Sequence, residues 1–257
     1  MKDRRTMVVL CAVLATSLAG APVRAEIKTE WVGYKQGDIA LRGYLAYDDA
    51  STDKRPGVLL LHRRDGMSAL TLKNAEMVAR LGYVVFAPDI FGKGVLPKDV
   101  PEMIAQTAIY NKDRPLMRAR AMAGFEVLRQ NPVVDAARIA VLGYCFGGTV
   151  AVELAEVGAP IVGTVTIHGS FRDFTPGAAK NINGRVLILH GAEDPVAPLT
   201  EVDLLVKDLR AAKVGWQLEL YSGTEHGFST PKNAAEERAN TQSQGAMARF
   251  FKEVFGT

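Results

Sequence analysis

The sequence predicts an α/β fold, with a mostly parallel central sheet, helices on both of its faces and an antiparallel hairpin at the amino-terminal edge. Three observations carry this. Short runs that are apolar throughout, such as Val58-Leu59-Leu60-Leu61, recur between turn residues, as strands covered on both faces require. Helical patterns alternate with these runs, which implies right-handed crossovers and ligand binding beyond the carboxyl ends of the strands. One strand breaks on glycines and re-emerges as a helix, in Val141-Leu142-Gly143-Tyr144-Cys145-Phe146-Gly147-Gly148.

Residues 1–25 read as a cleaved signal peptide. Lys2, Arg4 and Arg5 form a charged start, Met7 to Ala19 is almost wholly apolar, and Val23-Arg24-Ala25 offers small residues where a signal peptidase reads. The apolar run is shorter than the roughly 20 residues of a spanning helix, which argues against a retained anchor. Arg4-Arg5 also gives a weak twin-arginine match. The expected mature protein therefore starts near Glu26 and is exported, to the periplasm or beyond the cell. The whole chain has 31 Lys+Arg against 28 Asp+Glu and a net charge of +3; without the leader the counts are 27 and 27. A neutral mature chain argues for no nucleic-acid partner and no membrane surface once the leader is gone. Cys11 leaves with the leader, so Cys145 remains alone and no internal disulfide can form.

From Glu26 to Thr257 there is no repeat, low-complexity run or dividing linker, so a single domain, expected as a monomer, is predicted over 26–257. The first two strands, Ile27–Tyr34 and Ile39–Tyr47, form the hairpin through Gln36-Gly37-Asp38. Strands then follow at Val58–Leu61, Val84–Ala87, Ile139–Leu142, Ile161–Ile167, Val186–Leu189 and Gln217–Tyr221. Helices are predicted at Leu72–Leu81, Pro115–Gln130, Phe146–Val157, Glu201–Ala212 and Ala234–Phe255. The segment from Lys93 to Arg114 is rich in turn residues and is predicted as a lid or pocket wall.

The glycine-flanked Cys145 has the pattern of a nucleophile elbow, with cysteine where serine is usual. Glycines on either side permit the sharp turn, and the following helix points its positive end at the thiol. The bland alternative is a buried structural thiol at a tight turn. All four histidines, His62, His168, His190 and His226, follow apolar strands and should line the active edge of the sheet. Each could instead be a turn residue bonded to backbone, and at least two are expected to be. A zinc site is disfavoured by the lack of a His pair one helical turn apart and of a second cysteine. No metal or cofactor is expected.

A thiol nucleophile needs a base, and the base a group to orient it. On this fold the acid comes next in the chain and the histidine last. Asp194, at the tip of the turn after His190-Gly191-Ala192-Glu193, is the predicted acid, and His226, in a glycine-flanked loop after the last strand, is the predicted base. Glu193 and Glu225 are the alternative acids. Backbone N–H groups of Phe146 and Arg64 would meet an oxyanion.

These segments, with Gly82-Tyr83-Val84-Val85-Phe86-Ala87-Pro88-Asp89-Ile90-Phe91-Gly92, resemble the dienelactone hydrolase family of α/β-hydrolases over nearly all of the mature chain. The resemblance implies hydrolysis of small ester or lactone substrates, often carboxylate-bearing, by a Cys–His–Asp triad without cofactor. Two departures stand out. Arg63 occupies the place of a glutamate that helps switch the thiol on in founding members. The family's substrate-binding arginines do not carry over, since those positions hold Thr230 and Lys93. Arg63, Lys93 and Tyr144 are candidate substrate contacts; for the cationic residues at the mouth, Arg63, Arg64 and Lys93, solubility is the bland alternative. A non-catalytic ligand-binding or thiol-sensing protein on the same fold is the rival reading. A peptidase is another, although such enzymes usually need a larger recognition domain.

Overall fold

A computed structural model describes residues 26–50, 52–172 and 175–257; the predicted leader lies outside them. Eight strands form one sheet in the order β1-β2-β4-β3-β5-β6-β7-β8. They are β1 (Ile27–Gln36), β2 (Ile39–Asp48), β3 (Arg55–Leu61), β4 (Val84–Ala87), β5 (Val134–Tyr144), β6 (Gly163–Ile167), β7 (Arg185–Gly191) and β8 (Trp216–Tyr221). The hairpin β1–β2 is antiparallel, and β2 also runs antiparallel to β4. Every other pairing is parallel. Helices are α1 (Ala69–Ala79), α2 (Val100–Lys112), α3 (Arg114–Arg129), α4 (Phe146–Glu156), α5 (Leu199–Ala211) and α6 (Ala234–Phe255).

The period of two along each strand divides the core. Val58 and Leu60 of β3, Ala140, Leu142 and Tyr144 of β5, and Leu187 and Leu189 of β7 face α1 and α6. Leu59, Leu61, Ile139 and Val141 face α3 and α4 instead, while Val186 and Ile188 pack with α5. Apolar residues at every position are what a sheet sandwiched between helices demands. Tyr144 is a core residue and not a substrate contact, because alternation with Cys145 turns its ring inward on the α1/α6 side, 4% exposed.

Helix α2 was not foreseen as a helix. Its start is a reciprocal cap, in which Asp99 accepts the N–H of Glu102 at 2.9 Å and the Glu102 carboxylate accepts the N–H of Lys98 at 2.9 Å. Lys93, too, lies elsewhere than expected. Gly92 and Gly94, at φ +125° and +88°, turn the chain back toward β2, where the Lys93 N–H donates to the Ala40 carbonyl at 3.1 Å. It lines a shallow depression beside the hairpin with Tyr34 and Arg42, apart from the Cys145 cavity. Among the described residues no helix is long and apolar enough to cross a membrane.

Candidate active site

Cys145 stands between β5 and α4 at φ 55° and ψ −122°, a conformation a side chain seldom adopts. Its N–H is held by the Ile167 carbonyl at 3.0 Å. A Cβ on Gly143 would collide with the Gly147 carbonyl, and one on Gly147 with the carbonyl of Leu61. Glycine at these two positions therefore lets the elbow close and lets the loop after β3 lie against the start of α4.

The Cys145 sulfur lies 3.2 Å from Nε2 of His226, whose Nδ1 lies 2.8 Å from Oδ2 of Asp194. The other Asp194 oxygen accepts the N–H groups of Val196 and Ala197 at 2.9 Å each. The two alternative acids do not enter this chain. Glu193 accepts the Thr224 N–H at 3.0 Å, and Glu225 is exposed.

Electrostatics favour a charged pair. Burial pushes the Cys145 thiol up, but the hydrogen bond and charge of His226, the charge of Arg63 and the Phe146 N–H outweigh it and hold the thiol below its usual range. Burial also opposes an imidazolium at His226, yet its bonds to Asp194 and Cys145, with their charges, lift it to about 9. Burial of Asp194 is likewise outweighed by His226 and the Ala197 N–H, which keep the carboxyl below its usual range.

The other histidines serve the frame. His62, fully buried, donates Nδ1–H to the Arg63 carbonyl at 2.7 Å and accepts the Ile90 N–H at 3.1 Å. His190 donates Nε2–H to the Ala197 carbonyl at 2.7 Å, which fixes the Asp194 turn. His168 packs edge-on against His226, ring centroids 4.9 Å apart, and its Nε2 bonds the Ser229 hydroxyl at 2.8 Å. Burial, aided by the charges of His226 and Arg63, holds it well below the ordinary imidazole range and hence neutral.

A cavity of about 410 Å³ opens over Cys145 and His226. Phe146 and Thr149 of α4 floor it beside Arg64 from the loop after β3. Ile104, Thr107 and Asn111 of α2 form one wall with Arg114. Ser170, Arg172 and Val196 close the opposite side. Of the predicted residues, Cys145, Phe146, Arg64 and His226 meet here, with Asp194 behind. The loop after β6 was missed, although the rule that ligands bind beyond strand carboxyl ends points to it.

Such an elbow on such a sheet, with an acid and then a histidine later in the chain, defines an α/β-hydrolase. The model of the dienelactone hydrolase family matches residues 41–255, and the chain belongs to that family. It is thus a hydrolase. Two solved structures superpose with a TM-score of 0.84, each covering 89% of this chain and 99% of its own. One, 34% identical, is named m3DLH; the other, 30% identical, is a dienelactone hydrolase-like promiscuous phosphotriesterase from metagenomic libraries. A mouse carboxymethylenebutenolidase homolog is 29% identical over 157 residues, 60% of this chain and 62% of the mouse protein. The two departures from the family pattern meet in space: Nη1 of Arg63 donates to Oγ1 of Thr230 at 2.5 Å. Arg63 is held by Thr230 and is not among the residues that line the cavity, although its charge reaches Cys145.

Proposed function

We propose that this chain hydrolyses small esters or lactones through Cys145, His226 and Asp194, by way of an acyl-thioester. The observation that carries the reading is the unbroken chain from sulfur to imidazole to buried carboxylate, 3.2 and 2.8 Å. His226 holds the thiol proton while Asp194 fixes its tautomer and stabilises the imidazolium. The thiolate attacks the carbonyl carbon, and the oxyanion is met by the backbone N–H of Phe146 and of Arg64. Nε2–H of His226 then protonates the departing alkoxide. Water, deprotonated by His226, attacks the thioester; the tetrahedral adduct collapses to acid and thiolate, and the proton remains on His226.

The cavity also supports a carboxylate-bearing substrate. Arg114 and Arg172, which line it, are paired with Glu153 at 3.2 Å and Glu201 at 3.4 Å. Arg64 makes no ion pair among the described residues, and the unpaired guanidinium suits an anionic group on the acyl or leaving side. We further propose that the protein acts after export, as a monomer, once the leader is removed.

Turnover of a small chromogenic acyl ester tests the assignment. Cys145→Ala and His226→Ala should each lower kcat/KM by a factor on the order of 10³ or more. A Cys145→Ala protein that kept most of the wild-type rate would place the nucleophile elsewhere, and a wild type that turned over no ester would make the chain a binding or sensing protein.

A further inference from the structure

We propose that Cys145, His168 and His226 together form a chelating site for a soft divalent cation such as Zn²⁺, whose binding reversibly shuts the hydrolase off. Each residue offers one ligand atom, and the three atoms lie within 4.8 Å of one another. They come from three places along the sheet edge: the elbow, the end of β6 and the loop after β8. No sequence spacing announces such a set, because only the packing of the strands assembles it.

The dimensions suit a tetrahedral ion. Zinc bonds of about 2.3 Å to sulfur and 2.0–2.1 Å to nitrogen set ligand separations of roughly 3.6 Å for S···N and 3.4 Å for N···N. The Cys145–His226 contact of 3.2 Å needs to open by ~0.4 Å to admit the ion, and the separations to His168, within 4.8 Å, need to close by up to ~1.4 Å. His168 supplies an independent sign. It is 0% exposed, its Nε2 is taken by Ser229, and its Nδ1 is buried without a hydrogen-bond partner. A buried nitrogen of that kind calls for an explanation, and a cation supplies one.

Both imidazoles also carry the outer partner that ligating histidines have, Asp194 on His226 and Ser229 on His168. One sulfur and two imidazoles select a borderline-soft ion such as zinc over magnesium or calcium. The cavity, which Cys145 and His226 line, leaves room for a water in the fourth position. Binding replaces the proton shared by sulfur and Nε2, and that proton leaves to solvent. The inhibitory consequence rests on the catalytic reading given above; the binding itself does not.

The test uses the full chain with Co²⁺ as the probe, in chelator-free buffer and without ester. One equivalent should give a thiolate-to-cobalt charge-transfer band that Cys145→Ser abolishes. His168→Gln should weaken binding by ~10-fold or more, and Ser229→Ala by ~10-fold. If His168→Gln does not fold, judged by circular dichroism, Ser229→Ala decides. In parallel, Zn²⁺ should inhibit ester turnover competitively, and EDTA should restore it. No charge-transfer band in the wild type, or an affinity unmoved by the folded variants, overturns the site. Cobalt uptake by a chain that hydrolyses no ester would leave this site standing and overturn the hydrolytic reading alone.

Discussion

Asp194→Asn asks how far the Cys145–His226 pair depends on the carboxylate behind it. The amide cannot satisfy both of its neighbours. With its oxygen toward the Val196 and Ala197 N–H groups, its NH₂ meets the Nδ1–H of His226 head-on. Flipped, its NH₂ meets those two backbone donors instead. The first orientation takes the acceptor from the imidazolium, and the second leaves it only a neutral oxygen while stranding two backbone N–H groups; either way the carboxylate's charge is gone. His226 stands at about 9 against an ordinary value of about 6.5, a difference of ~3 kcal/mol. Asp194 shares this with Cys145, so the lost charge alone is worth a factor on the order of 10. A wrongly fixed tautomer adds to it, up to the ~10⁴ known for the same exchange in serine proteases. We expect a fall in kcat/KM on the order of 10²-fold, milder than loss of the thiol. The sign in pH follows. A weaker imidazolium lets the thiol rise toward its usual value, so activity and iodoacetamide labelling shift to higher pH. Activity within a factor of ~3 of wild type, with an unshifted labelling profile, would show that the Cys145–His226 pair does not depend on the Asp194 carboxylate.

Arg63→Gln removes a cation that favours the thiolate, although burial and His226 weigh more at Cys145. The apparent pKa of iodoacetamide labelling should lie below the usual ~8.5 in wild type and rise in the variant; values near 8.5 in both would dismiss the effect. Gly147→Ala forces a methyl onto the Leu61 carbonyl, and should cost ~1–3 kcal/mol or more, read as a lower Tm by calorimetry; an unchanged Tm would mean that the β3 loop yields freely. Intact mass of the protein from its native host should correspond to a chain starting at or near Glu26, whereas a full-length cytoplasmic species would overturn export.

Much of this was legible because period and punctuation carry it. Val58–Leu61 and Val186–Leu189 read as buried strands, and the glycines around Cys145 mark the elbow. Gly147 also sets a contact with Leu61 that lies far away in sequence. What escaped has tertiary causes. Helix α2 exposes Val100, Ile104 and Ile109, so no clear apolar stripe marks it, although Asp99 and Glu102 spell its cap. Lys93 holds a position where the family has a substrate-binding arginine, but two left-handed glycines carry it toward the hairpin. The bond from Arg63 to Thr230 spans 167 residues and has no local signature.

The central claim is that an acyl group passes through the Cys145 sulfur. Rapid acid quench of the enzyme with an activated ester, followed by peptide mapping, addresses it directly. An acyl adduct should appear on the peptide holding Cys145, formed and lost at rates that match turnover. An adduct on another residue, or a Cys145→Ala protein that turns over the ester at the wild-type rate, would contradict it.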